Sequence, residues 1–215
     1  MLKLYYSPGA CSLAPHILLE ESGLPYSTEL VAIAEGKQRT PEYLALNPKG
    51  RVPALLTEEG EILTEVPAIS WYIAAAAPTV GLLPQGRLAA ARSFEWFNWL
   101  SGTVHTMAFG QFWRMQRFVV DEQLFPLIKE KGWENILENF AFIEGRLAGR
   151  NWAVGNAYTA VDAYLLVFFR WGNRIGIDMR AGYPRWTAQA ERVLERPAVQ
   201  RVIQQEGINV WDKAA

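Results

Sequence analysis

The amino-acid sequence predicts two structural units in one chain: an α/β unit of about 80 residues with a mixed sheet, and an all-helical unit behind it. Three observations carry this expectation. The first third of the chain alternates short runs in the order strand, helix, strand, helix, strand, strand, helix. A tract rich in Pro and Gly follows, from Thr79 to Gly86. Beyond Arg87, apolar residues recur at helical spacing. The expected boundaries are residues 1–80 for the first unit, 81–86 for the linker and 87–215 for the second.

Leu2-Lys3-Leu4-Tyr5-Tyr6 is rich in aromatic and bulky apolar residues and is the first expected strand. Ser7-Pro8-Gly9-Ala10 reads as a loop, and Cys11, the single cysteine, follows it. Ser12 suits the N-cap of a helix over Leu13 to Ser22, which carries an apolar stripe and stops at Gly23. Pro15 falls in its first turn, where a missing N–H costs little. A thiol at a strand-to-helix junction faces free N–H groups and the positive end of a helix dipole, which lowers its pKa. The junction alone leaves two readings open, a reactive thiol and a small buried packing residue.

Tyr26 to Ile33 reads as a second strand and Ala34 to Arg39 as a polar, mobile loop. Thr40 caps a short helix with Pro41 at its first position, ending at Leu46 because Asn47-Pro48 disfavours more helix. In Asn47-Pro48-Lys49-Gly50-Arg51-Val52-Pro53, the last proline opens a strand and holds Val52 extended. The Val52 N–H and C=O are then expected to be open to an extended, peptide-like ligand. Leu55-Leu56-Thr57 and Glu61-Ile62-Leu63 flank a Glu58-Glu59-Gly60 turn as a hairpin. Thr64 or Glu65 caps the apolar helix that follows, over Pro67 to Ala77, and Pro78 stops it. Val66 to Gly86 holds no charged residue, but its prolines and glycines rule out a membrane span.

In the second unit, Arg87 to Phe118 reads as one long helix. Asp121 to Gly149 reads as another, kinked by Pro126 and interrupted near Gly132. Thr159 and Asp162 form a capping-box-like start to an apolar core helix through Trp171. Pro184 to Leu194 and Pro197 to Gln205 close the chain as two helices.

Composition narrows the function classes. The net charge of −1, without a Lys/Arg cluster, argues against a nucleic-acid partner. One cysteine and two histidines, His16 and His105, exclude an intrachain disulfide and a Cys- or His-rich metal cage. The N-terminus shows no signal-peptide pattern, so the expected location is cytoplasmic and no membrane partner is expected.

Four segments, taken together and in order, resemble bacterial glutathione S-transferases of the beta class. They are Tyr5-Tyr6-Ser7-Pro8-Gly9-Ala10-Cys11-Ser12, Asn47 to Pro53, Thr64-Glu65 with Ala68-Ile69, and Glu95-Trp96-Phe97-Asn98-Trp99-Leu100 with His105. The resemblance implies a thioredoxin-like N-terminal domain, an all-α C-terminal domain and a homodimer. It implies glutathione as co-substrate in the cleft between the domains, a small apolar electrophile as second substrate, and no permanently bound cofactor or metal. Cys11, His105 and Tyr6 match catalytic positions of the class. Val52 beside a cis Pro53, Glu65, Val66 and Asn98 match glutathione-binding positions. The long helix would line an electrophile pocket with Phe109, Phe112 and Trp113, although helical spacing alone makes these residues core.

The chain also departs from the class. Val66 stands where Ser or Gly is common, and Pro67 removes the next N–H. Glu35 replaces an expected lysine, and Lys37 is the nearest substitute. Arg114 and Arg117 read as solvated surface before a reach toward an anionic substrate, His16 as structural, and Tyr6 equally as strand packing. Three functions follow: conjugation of glutathione to apolar electrophiles in detoxification, disulfide reduction through a Cys11 mixed disulfide, or non-catalytic ligand binding.

Overall fold

The computed structural model of the protein describes residues 1–213. Its first unit is a four-stranded mixed sheet in the order β2-β1-β3-β4. β1 (Leu2–Tyr6) runs parallel to β2 (Tyr26–Leu30), the two joined by α1 (Leu13–Ser22). β3 (Ala54–Leu56) lies antiparallel to β1 and turns back as a hairpin to β4 (Ile62–Thr64). Strand alternation gives the sheet two apolar faces. Leu2 and Leu4 pack with α1, whereas Tyr5 joins Val31, Tyr43, Val52 and Ala54 on the other side.

Local chemistry sets most element ends as the sequence predicts. Gly23 stops α1 in the left-handed region at φ 69°, where a Cβ is disfavoured. Thr40 accepts the Tyr43 N–H at 3.4 Å to start α2 (Pro41–Leu46). The helix after the hairpin, α3 (Val66–Ala76), carries Pro67 in its first turn and stops before Pro78. Two expectations fail here. Ser12 does not cap α1, because its hydroxyl donates to the Ser7 carbonyl and accepts the Ser7 N–H, both at 3.1 Å. β2 ends at Leu30, and the supposed mobile loop is two 3-10 turns, Ile33–Glu35 and Lys37–Arg39, joined at Gly36.

The second unit is helical. α4 (Arg87–Trp99) passes into a π-helical stretch, Leu100–Phe109, and then α5 (Gly110–Trp113). The expected helix to Phe118 ends early, because Arg114 takes φ −143° and ψ 51° and a 3-10 turn, Met115–Arg117, follows. α6 (Phe125–Arg146) holds Pro126 in its first turn, where it does not kink the helix, and runs unbroken through Gly132. Glycine is needed there for close approach: a Cβ would lie 2.6 Å from the Phe112 backbone nitrogen. α7 (Ala160–Arg174) is buried along nearly its whole length and forms the centre of the unit. α8 (Met179–Gly182), which the sequence reading did not resolve, leads to α9 (Pro184–Leu194) and α10 (Pro197–Glu206).

The units share one apolar core, with α1 packed between α3 on one side and α7 and α10 on the other. The segment between them is anchored too: Leu82 is buried and its carbonyl accepts the Ala160 N–H at 2.8 Å. A polar clamp completes the contact. The Gly9 N–H donates to Glu206 Oε2 at 2.7 Å, and the Gly9 carbonyl accepts Trp171 Nε1 at 2.9 Å and Arg170 Nη1 at 3.2 Å. Glu206 Oε1 meets buried His16 Nδ1 at 2.8 Å, so His16 is structural.

Asp162 holds the start of α7. Its carboxylate accepts the Ala153 and Thr159 N–H groups at 2.8 Å, and the Gln189 amide and Thr159 hydroxyl at 3.0 Å. Burial pushes its pKa up to about 6 against those four donors. Asp162→Ala strands the donors in the interior and should cost roughly 2–4 kcal/mol of stability. Urea unfolding of the variant beside the wild type measures this directly.

Candidate active site

A cavity of about 710 Å³ opens at the seam between the two units. That volume falls within the roughly 300–1,000 Å³ typical of small-molecule sites. One wall comes from the loop before α1, from Arg51-Val52-Pro53 and from Thr64-Glu65-Val66. The other comes from the π-helical stretch, the turn after α5 and α7.

Cys11 lines the cavity but is only 7 % exposed. Its Sγ donates to the Val52 carbonyl at 3.4 Å. Burial pushes the thiol up to about 12, while Arg114 and Arg51 act more weakly in the opposite direction. This overturns the expectation of a low-pKa thiol. Three of the N–H groups that were to stabilise a thiolate are spent on nearby carbonyls, Leu13 on Ala10 at 3.0 Å, Ala14 on Cys11 at 3.3 Å, and His16 on Ser12 at 3.1 Å, and the Cys11 N–H that still favours the thiolate is outweighed by burial.

The Val52–Pro53 peptide bond is cis. Val52 is partly open as expected. Its carbonyl takes the Cys11 thiol but keeps a second lone pair, and its N–H finds no acceptor among the described residues. The loop that presents it is pinned, since Tyr43 Oη (2.8 Å) and Asn47 Nδ2 (2.7 Å) both donate to the Arg51 carbonyl.

Glu65 precedes α3 with φ 73°, the single positive φ outside glycine among the described residues. Strain of this kind in a cavity wall is a mark of functional sites. Its side chain does not cap the helix and instead accepts Lys49 Nζ at 2.7 Å. Val66 lines the cavity at the helix start, its N–H without an acceptor among the described residues, and the helix dipole there favours an anion.

His105 lies midway in the π-helical stretch, with its ring 5.0 Å from that of Trp171. π-type turns often mark functional positions. Burial, then the positive charges of Arg114, Arg51 and Arg117, push the imidazole down to about 3, so it is neutral at physiological pH. Phe109, Trp113 and Trp171 give the same wall an apolar, aromatic stretch.

Four expected site residues stand elsewhere. Tyr6 turns to the α1 face of the sheet, 5.2 Å from the His16 ring, because strand alternation points it away from the cavity. Lys37 is exposed on its 3-10 turn and leaves the cavity to Gln38 and Arg39. Asn98 is exposed on α4, a turn before the stretch that reaches the cavity. Phe112 packs against Trp133, 5.7 Å between rings, on the α6 side of its helix.

The sequence reading missed most of the charge. Arg39, Lys49, Arg51 and Arg174 line the cavity, and so do Arg114 and Arg117, which were expected on solvated surface. The signal for Lys49 and Arg51 was their place beside Pro53. For Arg114 and Arg117 a reach toward an anionic substrate was the lesser of two readings, and the helix end that decides it is invisible in the apolar pattern. Tyr164 also lines the cavity, fully buried, and its hydroxyl has no partner among the described residues.

Sheet order, the cis proline and a cavity at the seam define a thioredoxin-like domain joined to an all-helical one. Residues 9–76 match the family model for the glutathione S-transferase N-terminal domain, and residues 115–197 match that for the C-terminal domain. The chain is 34 % identical to glutathione S-transferase GST-4.5 of Xanthomonas campestris, over 97 % of this chain and all of that one. It is 34 % identical to glutathione S-transferase GstA of Escherichia coli O157:H7, over 96 % and 100 %. A glutathione transferase homologue from Sulfitobacter, solved with bound glutathione, superposes with a TM-score of 0.91 at 35 % identity, covering 97 % and 99 %. The beta-class enzyme of Sphingomonas chungbukensis gives 0.83 at 33 % identity, covering 96 % and 100 %. The chain belongs to the glutathione S-transferase family, and the four relatives named here are bacterial.

A thiol pushed up to about 12 is almost wholly protonated at neutral pH. Iodoacetamide should alkylate Cys11 at least tenfold more slowly than a free cysteine at pH 8, read by intact-protein mass spectrometry; equal rates would show an exposed thiolate.

Proposed function

We propose that the enzyme conjugates the thiolate of glutathione to a small electrophile, with glutathione as co-substrate and no resident cofactor. The observation that supports this most is the meeting, beside Cys11, of an open Val52 edge, the start of α3 and several unpaired cations. Glutathione is an extended tripeptide with two carboxylates, an ammonium and a thiol, and each has a counterpart. The γ-glutamyl carboxylate suits the Val66 N–H at the positive end of α3. The ammonium suits Glu65. The central peptide group suits Val52 beside Pro53, in the manner of an added strand. The glycine carboxylate suits Arg39 or Arg51, which take the part expected of Lys37.

The chemistry is then positioning and electrostatics. Arg114 and Arg51 oppose protonation of Cys11 without overcoming its burial. A less deeply buried sulfur beside it experiences the same field and ionises more readily. The glutathione thiol loses its proton to solvent and the thiolate attacks the electrophile. A C–S bond forms, and the leaving group departs with the electron pair. Neutral His105 supplies an N–H to the anionic sulfur. Cys11 itself stays a thiol and holds Val52, which weighs against the mixed-disulfide route because exchange needs a thiolate. Phe109 and Trp113 offer the apolar surface for the electrophile.

Detoxification in the cytoplasm is the matching role, and the unpaired Cys11 thiol suits a reducing compartment. We infer a homodimer as well. Trp71, Phe94, Met107 and Phe142 are large apolar side chains 41–52 % exposed, more than a lone surface residue explains.

Glutathione titrations with a generic aryl halide test this reading. His105→Ala should lower kcat/KM about tenfold or more, as loss of a hydrogen bond to a charged atom does, and Cys11→Ala should retain conjugation. Conjugation lost in Cys11→Ala, with disulfide reduction intact in the wild type, would sink it. Because His105 is already neutral above about pH 3, the pH profile of kcat/KM between pH 5 and 9 should show one rise, from the glutathione thiol. Measured for the aryl halide at saturating glutathione, its midpoint should lie higher in His105→Ala than in the wild type, because the lost N–H stabilised the thiolate.

A further inference from the structure

The cavity carries far more positive charge than one tripeptide needs. Seven cationic side chains line it against one carboxylate, Glu65, which Lys49 already neutralises at 2.7 Å. Arg170 is committed to the Gly9 carbonyl. Arg39 and Arg51 belong to the thioredoxin-like wall, where the glutathione carboxylates are assigned above. Arg114 and Arg117 are different: they sit on the helical wall with Phe109 and Trp113. Neither has a carboxylate partner among the described residues.

Their placement is built by the backbone. α5 ends at Arg114, whose N–H bonds back to Gly110 at 2.8 Å, and the Arg117 N–H bonds to the Arg114 carbonyl at 2.9 Å. The turn therefore brings two guanidinium groups to one patch of wall beside an aromatic surface. Burial pushes both guanidinium groups below their ordinary range, with Arg51 and Arg39 adding to it for both and Arg114 adding to it for Arg117. Arg114 is half-buried without a counter-charge, which is destabilising, and Arg117 stands exposed beside it; an anion is the ligand that relieves the pair. Arginine forks bind carboxylates through two parallel N–H donors, a geometry lysine lacks.

We propose that Arg114 and Arg117 form a carboxylate-binding subsite for the second substrate, so that the preferred electrophile is an aromatic or unsaturated acid. This deepens the transferase reading and rests on it. In the reaction the carboxylate is a spectator. With a chloroarene acid, the glutathione thiolate bonds to the chlorine-bearing carbon, the C–Cl bond breaks, and chloride leaves with the electron pair. The carboxylate on Arg114 and Arg117 holds the ring against Phe109 and Trp113 and fixes which carbon faces the sulfur.

Two measurements test the proposal. In the first, kcat/KM for 4-chloro-3,5-dinitrobenzoate is compared with that for 1-chloro-2,4-dinitrobenzene, each divided by its uncatalysed rate with glutathione. The acid should be preferred about tenfold or more, and Arg114→Met or Arg117→Met should cut that ratio about tenfold, with Arg114→Lys intermediate. In the second, quenching of Trp113 and Trp171 fluorescence by 4-nitrobenzoate and by nitrobenzene is titrated in the presence of S-methylglutathione. Tighter binding of the acid, lost in Arg114→Met, supports the subsite whether or not turnover occurs. Equal binding of acid and neutral ring, or a preference that survives in both methionine variants, overturns it. Absence of conjugation with both chloroarenes sinks the transferase reading instead, and the fluorescence titration still decides the subsite.

Discussion

Everything at the cavity depends on how Gly9 is held. Its N–H and its carbonyl are both bound by the helical unit, through Glu206 on one side and Trp171 and Arg170 on the other. The loop carrying Gly9 leads directly into Cys11, so the position of the sulfur is set by helices more than 150 residues away in sequence. A side chain at Gly9 would collide with the Arg170 guanidinium, and the residue sits at φ 65°. Buried His16 locks Glu206 from the other face, so the clamp is a connected polar network in an otherwise apolar contact. The two units cannot slide without breaking it, and the cavity walls keep their spacing.

That rigidity changes what the lone cysteine does. The sulfur lies beside the cis proline, next to the residues suited to a tripeptide, but it is sealed and pointed at the Val52 carbonyl. Its protonated state is an outcome of burial outweighing two nearby arginines. The same arginines remain available to a sulfur that arrives from solvent. The cavity is thus an electrostatic environment for a guest, and Cys11 is part of its wall.

The elements and their order were legible in the sequence because they rest on local signals. Pro41, Pro67, Pro184 and Pro197 open helices, Gly23 closes one, and Thr159 with Asp162 starts the buried α7. The failures share a different cause. Ser12 was drawn to Ser7 by the loop's own hydrogen bonding, a tertiary choice between two good partners. The sharp end of α5 at Arg114 leaves no mark in apolar spacing, and so solvent outweighed an anionic substrate in the reading of Arg114 and Arg117. Tyr6 and Phe112 had two readings each, site and packing, and the structure places both in packing. The face each presents depends on strand phase and on the close approach at Gly132. Residue identity reports what a position can do, and only the packed backbone reports where it points.

The Lys49–Glu65 pair has a consequence for how a tripeptide settles into the cavity. Both side chains are more than half exposed, and Lys49 is also tied to Thr64 at 2.8 Å. If the γ-glutamyl ammonium binds Glu65 as proposed, it replaces a cation already there, so the local event is ion exchange rather than net neutralisation. Lys49 is set free by that exchange, at the moment when two carboxylates enter its neighbourhood. One resident cation is thereby handed from the protein's own acid to the guest.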